Sequence, residues 1–515
     1  MTSFSLGHLL RHHARRAPDA PAIADPAGAL TYGQFDRRAA ACARQLQEAG
    51  VGPGGRVVFV IPNSLAWAIV YHGALQAGAV PVPLNAKLAP AELGAIIGDC
   101  EPAAVVGPAD VLATVRAALA TGPASTGPAP AWVELRPTLV EAEADPRPIP
   151  PADPASTALI LYSSGSTGLP KGVELSHANI LWNAQAFAFD LLRLTPDDIG
   201  YTALPLSHVF GHTCLFSSFL FAGASMFITD GFDPQQVFAG LAATRATVFM
   251  GVPTMYWTMA RAELPAGIDL SRWRACVSGG QALPTDVHER FERRFGVLIS
   301  EGYGMTEASP SVTGNRFHGM RKPGSAGQPY LGVEMRVVDE AGRDVPTGAT
   351  GELLLRGPGI ARGYFRKPEL TAATFADGWL RTGDIGRIDE DGFLFIVDRK
   401  KEMIITGGYN VYPREIEEVV HRFEGVLEVA AIGAPDERLG ERIVAFVVAA
   451  DAAAPVDAAA LLAHCNDGLA RYKVPREIRL VEALPRNATG KVDRLRLRAV
   501  AADPSFVPID QETRK

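Results

Sequence analysis

Apolar residues run in short unbroken blocks at 57–61, 80–82 and 103–106, and recur at helical spacing through 32–49, 64–76 and 90–98. Short apolar blocks suit strands buried on both faces, and the helical stretches between them predict a mainly parallel sheet flanked by helices. An Ala- and Pro-rich stretch, 120–156, predicts a surface connection. A further block, 157–162, predicts a buried strand, and strand–helix pairs continue through Val297. From Gly332 to Gly392 the pattern changes to short strands separated by Asp339-Glu340-Ala341-Gly342 and Asp389-Glu390-Asp391-Gly392, which predicts a small antiparallel sheet or barrel. The remainder has its own strand and helix pattern. The expected organisation is an α/β protein: a large N-terminal domain, 1–398, with a small β-barrel-like subdomain, then a small α+β domain, 399–515.

The segment 199–229 has no Asp, Glu, Lys or Arg. Pro205, His208, Gly211 and His212 interrupt it, and its cleanest apolar part, 214–222, is too short to cross a bilayer. It predicts a buried strand, a turn and a buried helix, with no transmembrane span. The net charge of −7 over 515 residues gives no basic footprint for nucleic acid. A short apolar patch precedes the basic residues near the start, the reverse of a secretory signal. The five cysteines include no CxxC pair. These features predict a cytoplasmic protein with reduced thiols and no structural zinc.

Candidate chemistry is concentrated in five stretches. In "YSSGSTGLPKG", Ser163, Ser164, Gly165, Ser166, Thr167, Gly168 and Lys171 combine hydroxyls, bare backbone and one cation, the components of a phosphate cradle. It ends Pro-Lys-Gly, so it is not the P-loop motif. "EGYGMTEASP" offers the Tyr303 ring between Gly302 and Gly304, with Thr306 and Glu307 as hard oxygen donors suited to Mg²⁺. "WLRTGDIG" places Asp384 in an expected loop, where a carboxylate can accept from a ribose diol. "VDRKKEMIITGGYNVYPREIEEV" gathers Asp398, Arg399 and Lys401 before a strand, then a Gly407-Gly408 turn and a helix entered near Pro413. "LPRNATGKVDR" sets Lys491 on a loop near the C-terminus. Taken singly, each is equally compatible with an ordinary polar turn.

Together and in this order, the five stretches resemble the adenylate-forming superfamily, over nearly the whole chain from about Leu30 to Arg498. "GVPTMYWTM", "EGYGMTE" and "GGYNVYPREIE" are most similar to bacterial medium- and long-chain fatty acyl-CoA synthetases. Ser163 departs from the family's more common Thr but keeps the hydroxyl. The resemblance implies that 163–171 close on the ATP phosphates, and that Tyr303 lies against adenine with Gly279, Gly280 and Gln281 on its other side. Thr306 then binds phosphate, Glu307 holds Mg²⁺, and Asp384 and Arg399 hold the ribose.

By the same resemblance, Lys491 would bridge the acid's carboxylate and the α-phosphate. After pyrophosphate leaves, a mobile C-terminal domain would turn about Asp398, and Lys401, Gly407 and Gly408 would help to admit coenzyme A. His208, Val209, Phe210, Gly251 and Gly302 would line the acid, with His208 beside the reacting end. Malonate ligases carry Arg where this chain has Gly302, so the resemblance implies an apolar monocarboxylate, fatty acid ahead of aromatic or polycyclic acids. Transfer of the adenylate to a carrier protein is the alternative outcome. Analogy with relatives also allows a homodimer, and acetylation and deacetylation of Lys491.

Overall fold

The computed structural model describes residues 5–121, 129–163, 170–451, 456–486 and 491–502. The chain divides into two compact units, Met1–Met335 with Leu355–Leu380, and Arg336–Leu354 with Arg381–Lys515. This division by contacts falls ahead of the expected boundary at 398/399, because the small sheet built after Gly332 groups largely with the C-terminal residues.

The first unit contains a nine-stranded sheet. Neighbours from Leu298–Gly304 through Ala275–Ser278, Val248–Gly251, Ile199–Thr202 and Ser225–Ile228 to Pro21–Asp25 are all parallel. Antiparallel strands finish both edges, Gly28–Thr31 at one and Ser311–Gly314 with Gln328–Pro329 at the other. A second, four-stranded sheet is parallel throughout, in the order Val80–Leu84, Arg56–Val60, Ala104–Gly107, Ala131–Glu134. Its last strand lies inside the stretch expected to be a connection. Four residues between Pro-rich flanks give too short a period to read, and pairing with Ala104–Gly107 decides the conformation. The segment 199–229 forms Ile199–Thr202, a π-helix Phe210–Ser217, a helix Ser218–Ala222 and Ser225–Ile228.

Helix Leu65–Gln76 is buried from Trp67 onward. It has no polar face, which places it inside the core with Phe59, Phe216 and Phe219 and not over it. Ser64 caps it, accepting from the Trp67 N–H. Against it packs the helix Tyr32–Glu48. At the crossing, a Cβ on Gly73 would lie 2.6 Å from Cys42 Sγ and 2.8 Å from Cys42 Cβ.

In the second unit, Gly351–Arg356 lies between Glu334–Val338 and Trp379–Ile388, and Leu394–Arg399 adds antiparallel to the last. Farther along, Val426–Asp436 and Gly440–Ala449 form a long antiparallel pair that Ile404–Thr406, Tyr409–Val411 and Glu477–Leu480 extend. This sheet is apolar on both faces, as its period of two requires. Ile443, Ala445 and Val447 pack with Ile416 and Leu461, while Val444, Phe446 and Val448 pack with Leu484 and Leu497. Among the described residues no helix is long and apolar enough to cross a membrane.

Gly73→Val should push the two crossing helices apart and lower stability by about 1–3 kcal/mol, the usual cost of overpacking a filled core. Urea denaturation of the variant beside wild type checks this.

Candidate functional site

Four adjacent parallel strands end on one edge of the large sheet, and the motif residues follow their carboxyl ends. Gly302, Tyr303 and Gly304 close Leu298–Gly304, and Gly279, Gly280 and Gln281 follow Ala275–Ser278. Gly251 closes Val248–Gly251, and His208 to Phe210 lie beyond Ile199–Thr202. In open α/β sheets this edge is where ligands bind. Strand Leu298–Gly304 also changes partner there. It is parallel to Ala275–Ser278 up to Glu301, then antiparallel to Ser311–Gly314 from Gly302. That switch needs bare backbone, since a Cβ on Gly304 would sit 1.9 Å from the Pro310 carbonyl oxygen. The Tyr303 N–H donates to Thr313 Oγ1 at 3.2 Å.

The first motif sits on a hairpin. Thr157–Ser163 pairs antiparallel with Lys171–Ser176, and Ser163 stands opposite Lys171. Ser163 Oγ is buried with no hydrogen-bond partner among the described residues. Ser164, Gly165, Ser166, Thr167 and Gly168 lie outside the described residues. A third strand, Gly363–Tyr364, pairs with Lys171–Ser176 and completes this sheet.

These elements converge on Glu307, in the short turn Thr306–Ala308. Its carboxylate is buried and takes two donors on Oε1. Lys171 Nζ lies 3.0 Å away, and the Tyr364 hydroxyl donates at 2.7 Å. Lys171 also donates to that hydroxyl at 2.6 Å and lies 4.1 Å from the Tyr364 ring centre. Burial first, and the neighbouring Glu307 charge second, push the Tyr364 phenol pKa up, so it remains a donor at neutral pH. Thr306 beside it is half-buried.

Sequence reasoning missed Tyr364. In "ARGYFRKPE" nothing marks the ring as a carboxylate's donor, and only the third strand's pairing brings it there. No group of three or more His, Cys, Asp or Glu suited to a metal occurs among the described residues. Glu307 and Thr306 offer hard oxygens of the kind Mg²⁺ takes beside phosphate and water.

The apolar segment reaches the glycine loop directly. A Cβ on Gly279 would lie 3.0–3.2 Å from three atoms of the Phe210 ring. Val209 and Phe210 are buried, His208 is half-buried, and the Phe210 N–H donates to His208 Nδ1 at 3.3 Å. Gly302 cannot take a side chain without moving the Thr313 carbonyl, 2.7 Å from its ideal Cβ.

In the second unit Asp384 is not in a loop. It lies within the strand Trp379–Ile388, directly opposite Arg399, and their side chains meet at 3.1 Å. Asp384 is buried, while Arg399 is 45% exposed at the side chain. The neighbouring Asp398 accepts from the Arg399 N–H at 2.7 Å and the Arg414 N–H at 2.9 Å. Burial outweighs these bonds and pushes its pKa up to about 6. Lys401 lies in the short turn Lys400–Glu402. Gly407 and Gly408 make the hairpin turn between Ile404–Thr406 and Tyr409–Val411, both at positive φ (57° and 82°). Lys491 directly precedes a bridge from Val492 back to Arg486, and residues 487–490 lie outside the described residues.

Residues 10–365 match the family model of the AMP-binding enzymes, and 415–491 match that of the AMP-binding enzyme C-terminal domain. A feruloyl-CoA synthase from an Amycolatopsis species is 38% identical over 96% of this chain and 98% of its own. A long-chain-fatty-acid–CoA ligase of Bacillus subtilis is 34% identical over 96% and 94%. The crystal structure of ATP-bound MatB from Rhodopseudomonas palustris superposes with a TM-score of 0.89, at 34% identity over 96% of this chain and 99% of that one. The chain belongs to the adenylate-forming family of AMP-binding enzymes, as an AMP-forming acid–CoA ligase that uses ATP and coenzyme A.

Proposed function

We propose that this ligase activates an apolar monocarboxylate, a medium- or long-chain fatty acid in the first instance. The observation that carries the reading is the end of the Phe210 ring packed against Gly279, within 3.0–3.2 Å of where its Cβ would lie. It joins the uncharged segment 199–229 to the glycine loop assigned to adenine, so the acid's tail meets apolar surface. Gly302 supports it, since the position reserved for a dicarboxylate's Arg has no room for a side chain. A second reading, an aromatic acid, is favoured by the feruloyl-CoA synthase relative.

A carboxylate is a poor electrophile, and a triphosphate repels it. Activation therefore depends on positive charge placed between the two. In this reading Lys171 and the hydroxyls of 163–168 bind the phosphates, and Thr306 adds a donor. Glu307, aimed by Lys171 and Tyr364, holds the divalent ion, which supplies charge neutralisation at the phosphates. Asp384 accepts from the ribose, with Arg399 fixing its orientation. Lys491 donates to the carboxylate and α-phosphate oxygens as charge builds. The carboxylate oxygen attacks the α-phosphorus, and pyrophosphate leaves with the bonding electrons. Coenzyme A thiolate then attacks the acyl carbon, AMP departs, and Asp398 is the pivot that exchanges Lys491 for the Lys401, Gly407 and Gly408 face between the steps.

Lys491→Ala should slow acid-dependent pyrophosphate release by roughly two to three orders of magnitude, the cost typical of a lost transition-state contact. Thioester formation from supplied acyl-AMP should persist, and an equal loss in both half-reactions would remove the assignment. Tyr364→Phe takes one donor from a buried carboxylate, so KM for Mg·ATP should rise about tenfold, with the KM for the acid unchanged. A panel of fatty, aryl and dicarboxylic acids, assayed for pyrophosphate and for thioester, tests the substrate. Preference for a fatty acid supports the first reading and for an aryl acid the second, while pyrophosphate without thioester points to a carrier-protein acceptor.

A further inference from the structure

Behind the two loops assigned to adenine lies a buried group of charges that the chemistry above does not use. His288, on the helix Thr285–Phe295, is buried, and each of its ring nitrogens faces a carboxylate. Nδ1 is 3.2 Å from Glu301 Oε1, and Nε2 is 2.9 Å from Glu292 Oε1. An ionised carboxylate only accepts, so both contacts are hydrogen bonds only when the ring is an imidazolium.

Glu301 is the residue at which the strand switches partner. Its Oε2 accepts from the Leu283 N–H at 3.2 Å and its Oε1 from the Gly324 N–H at 3.1 Å. One side chain thereby ties the end of the 279–283 loop to the strand that runs on into Tyr303. Glu292 accepts from the Ile299 N–H at 2.8 Å and from Arg321 at 2.7 Å, and Arg321 donates onward to the Ile299 carbonyl at 2.7 Å. Two cations and two anions close the group with no net charge.

We propose that His288 is a positioning residue for nucleotide binding: its charge fixes the Glu301 carboxylate, and Glu301 sets the spacing between the 279–283 loop and Tyr303. This rests on the assignment of those loops to adenine. A buried carboxylate without its counter-charge is costly, so removing the imidazolium releases Glu301 from its place and the loops with it. Burial alone lowers the His288 pKa, but the bonds to Glu292 and Glu301 outweigh it and hold it at about 9. Burial raises that of Glu292, while its bonds to His288, Ile299 and Arg321 bring it down to about 2. The groups facing His288 are Glu292 on its own helix and Glu301 on the neighbouring strand, with Arg321 reached through Glu292. A histidine raised above its ordinary 6.5 contributes fully below that pH and loses its contribution as pH climbs through about 9.

The test is calorimetric titration of Mg·ATP, with no acid present, into wild type, His288→Gln and the double variant His288→Gln/Glu301→Gln. At pH 7 the single variant should bind about tenfold more weakly, and the double variant should recover most of that loss, because the amide leaves no unpaired charge. The ratio between the single variant and wild type should shrink towards one between pH 7 and pH 10. In steady-state assays the KM for ATP should rise while that for the acid stays put. Unchanged ATP affinity in the single variant, or a double variant no better than the single one, overturns the proposal. Wild type that binds no ATP overturns instead the assignment on which it rests.

Discussion

The buried carboxylate of Glu307 constrains how the first unit is put together. An ionised group taken out of water must be paired and hydrogen-bonded, or it costs several kcal/mol or neutralises itself. Here the compensation comes from Lys171 and Tyr364, on adjacent strands of a small sheet distant in sequence. Gly172, opposite Tyr162 in that sheet, leaves room for its neighbours: a Cβ there would press on Ile160 at 2.9 Å and the Tyr162 ring at 3.1 Å. The turn bearing Glu307 can approach because Gly304 leaves the Pro310 carbonyl undisturbed. Lys171 and Glu307, which the proposed function gives to phosphate and metal, are thus held in register by the protein's own contacts, and such preorganisation limits the entropy cost of binding.

The parts legible in the sequence were those with a local cause. Strands such as Arg56–Val60 announce themselves as apolar blocks, helix Tyr32–Glu48 by its period, and the Gly407-Gly408 turn by its paired glycines. Motif order identified the family because each glycine, hydroxyl and charge is tied to chemistry. What stayed hidden depends on partners remote in the chain. Ala131–Glu134 is a strand only because Ala104–Gly107 lies beside it, and Asp384 is in a strand only because Arg399 is its cross-strand neighbour. Tyr364 and His288 carry no motif at all. Their roles come from aiming another residue, and that relation is not encoded at a fixed spacing.

The second unit solves a different problem. Its long strand pair is covered on both faces by apolar side chains, giving it a core of its own. The two half-reactions proposed for this module would need that independence. The residues proposed to act there lie where the strands end or turn. Arg399 closes Leu394–Arg399, Gly407 and Gly408 form a hairpin tip, and Lys491 precedes Arg494–Ala502. Asp398 joins the two aspects. Its carboxylate accepts from the Arg399 and Arg414 N–H groups at the point where the chain leaves one sheet for the next, so the pivot proposed there would be defined by backbone bonds.

Selectivity for the acid has a weaker physical basis than activation of it. In the proposed function, phosphate, ribose and metal would be recognised by charge and directed hydrogen bonds, each of which rejects a wrong partner by leaving a buried group unpaired. An apolar wall such as Phe210 against Gly279 discriminates only by shape, and one methylene is worth about 1–3 kcal/mol. The motifs therefore specify the reaction far more sharply than the acid, and the identity of the acid depends on packing among residues such as Val209, Phe210 and Met255, whose thioether approaches Gly251. Packing of that kind has no sequence signature of its own.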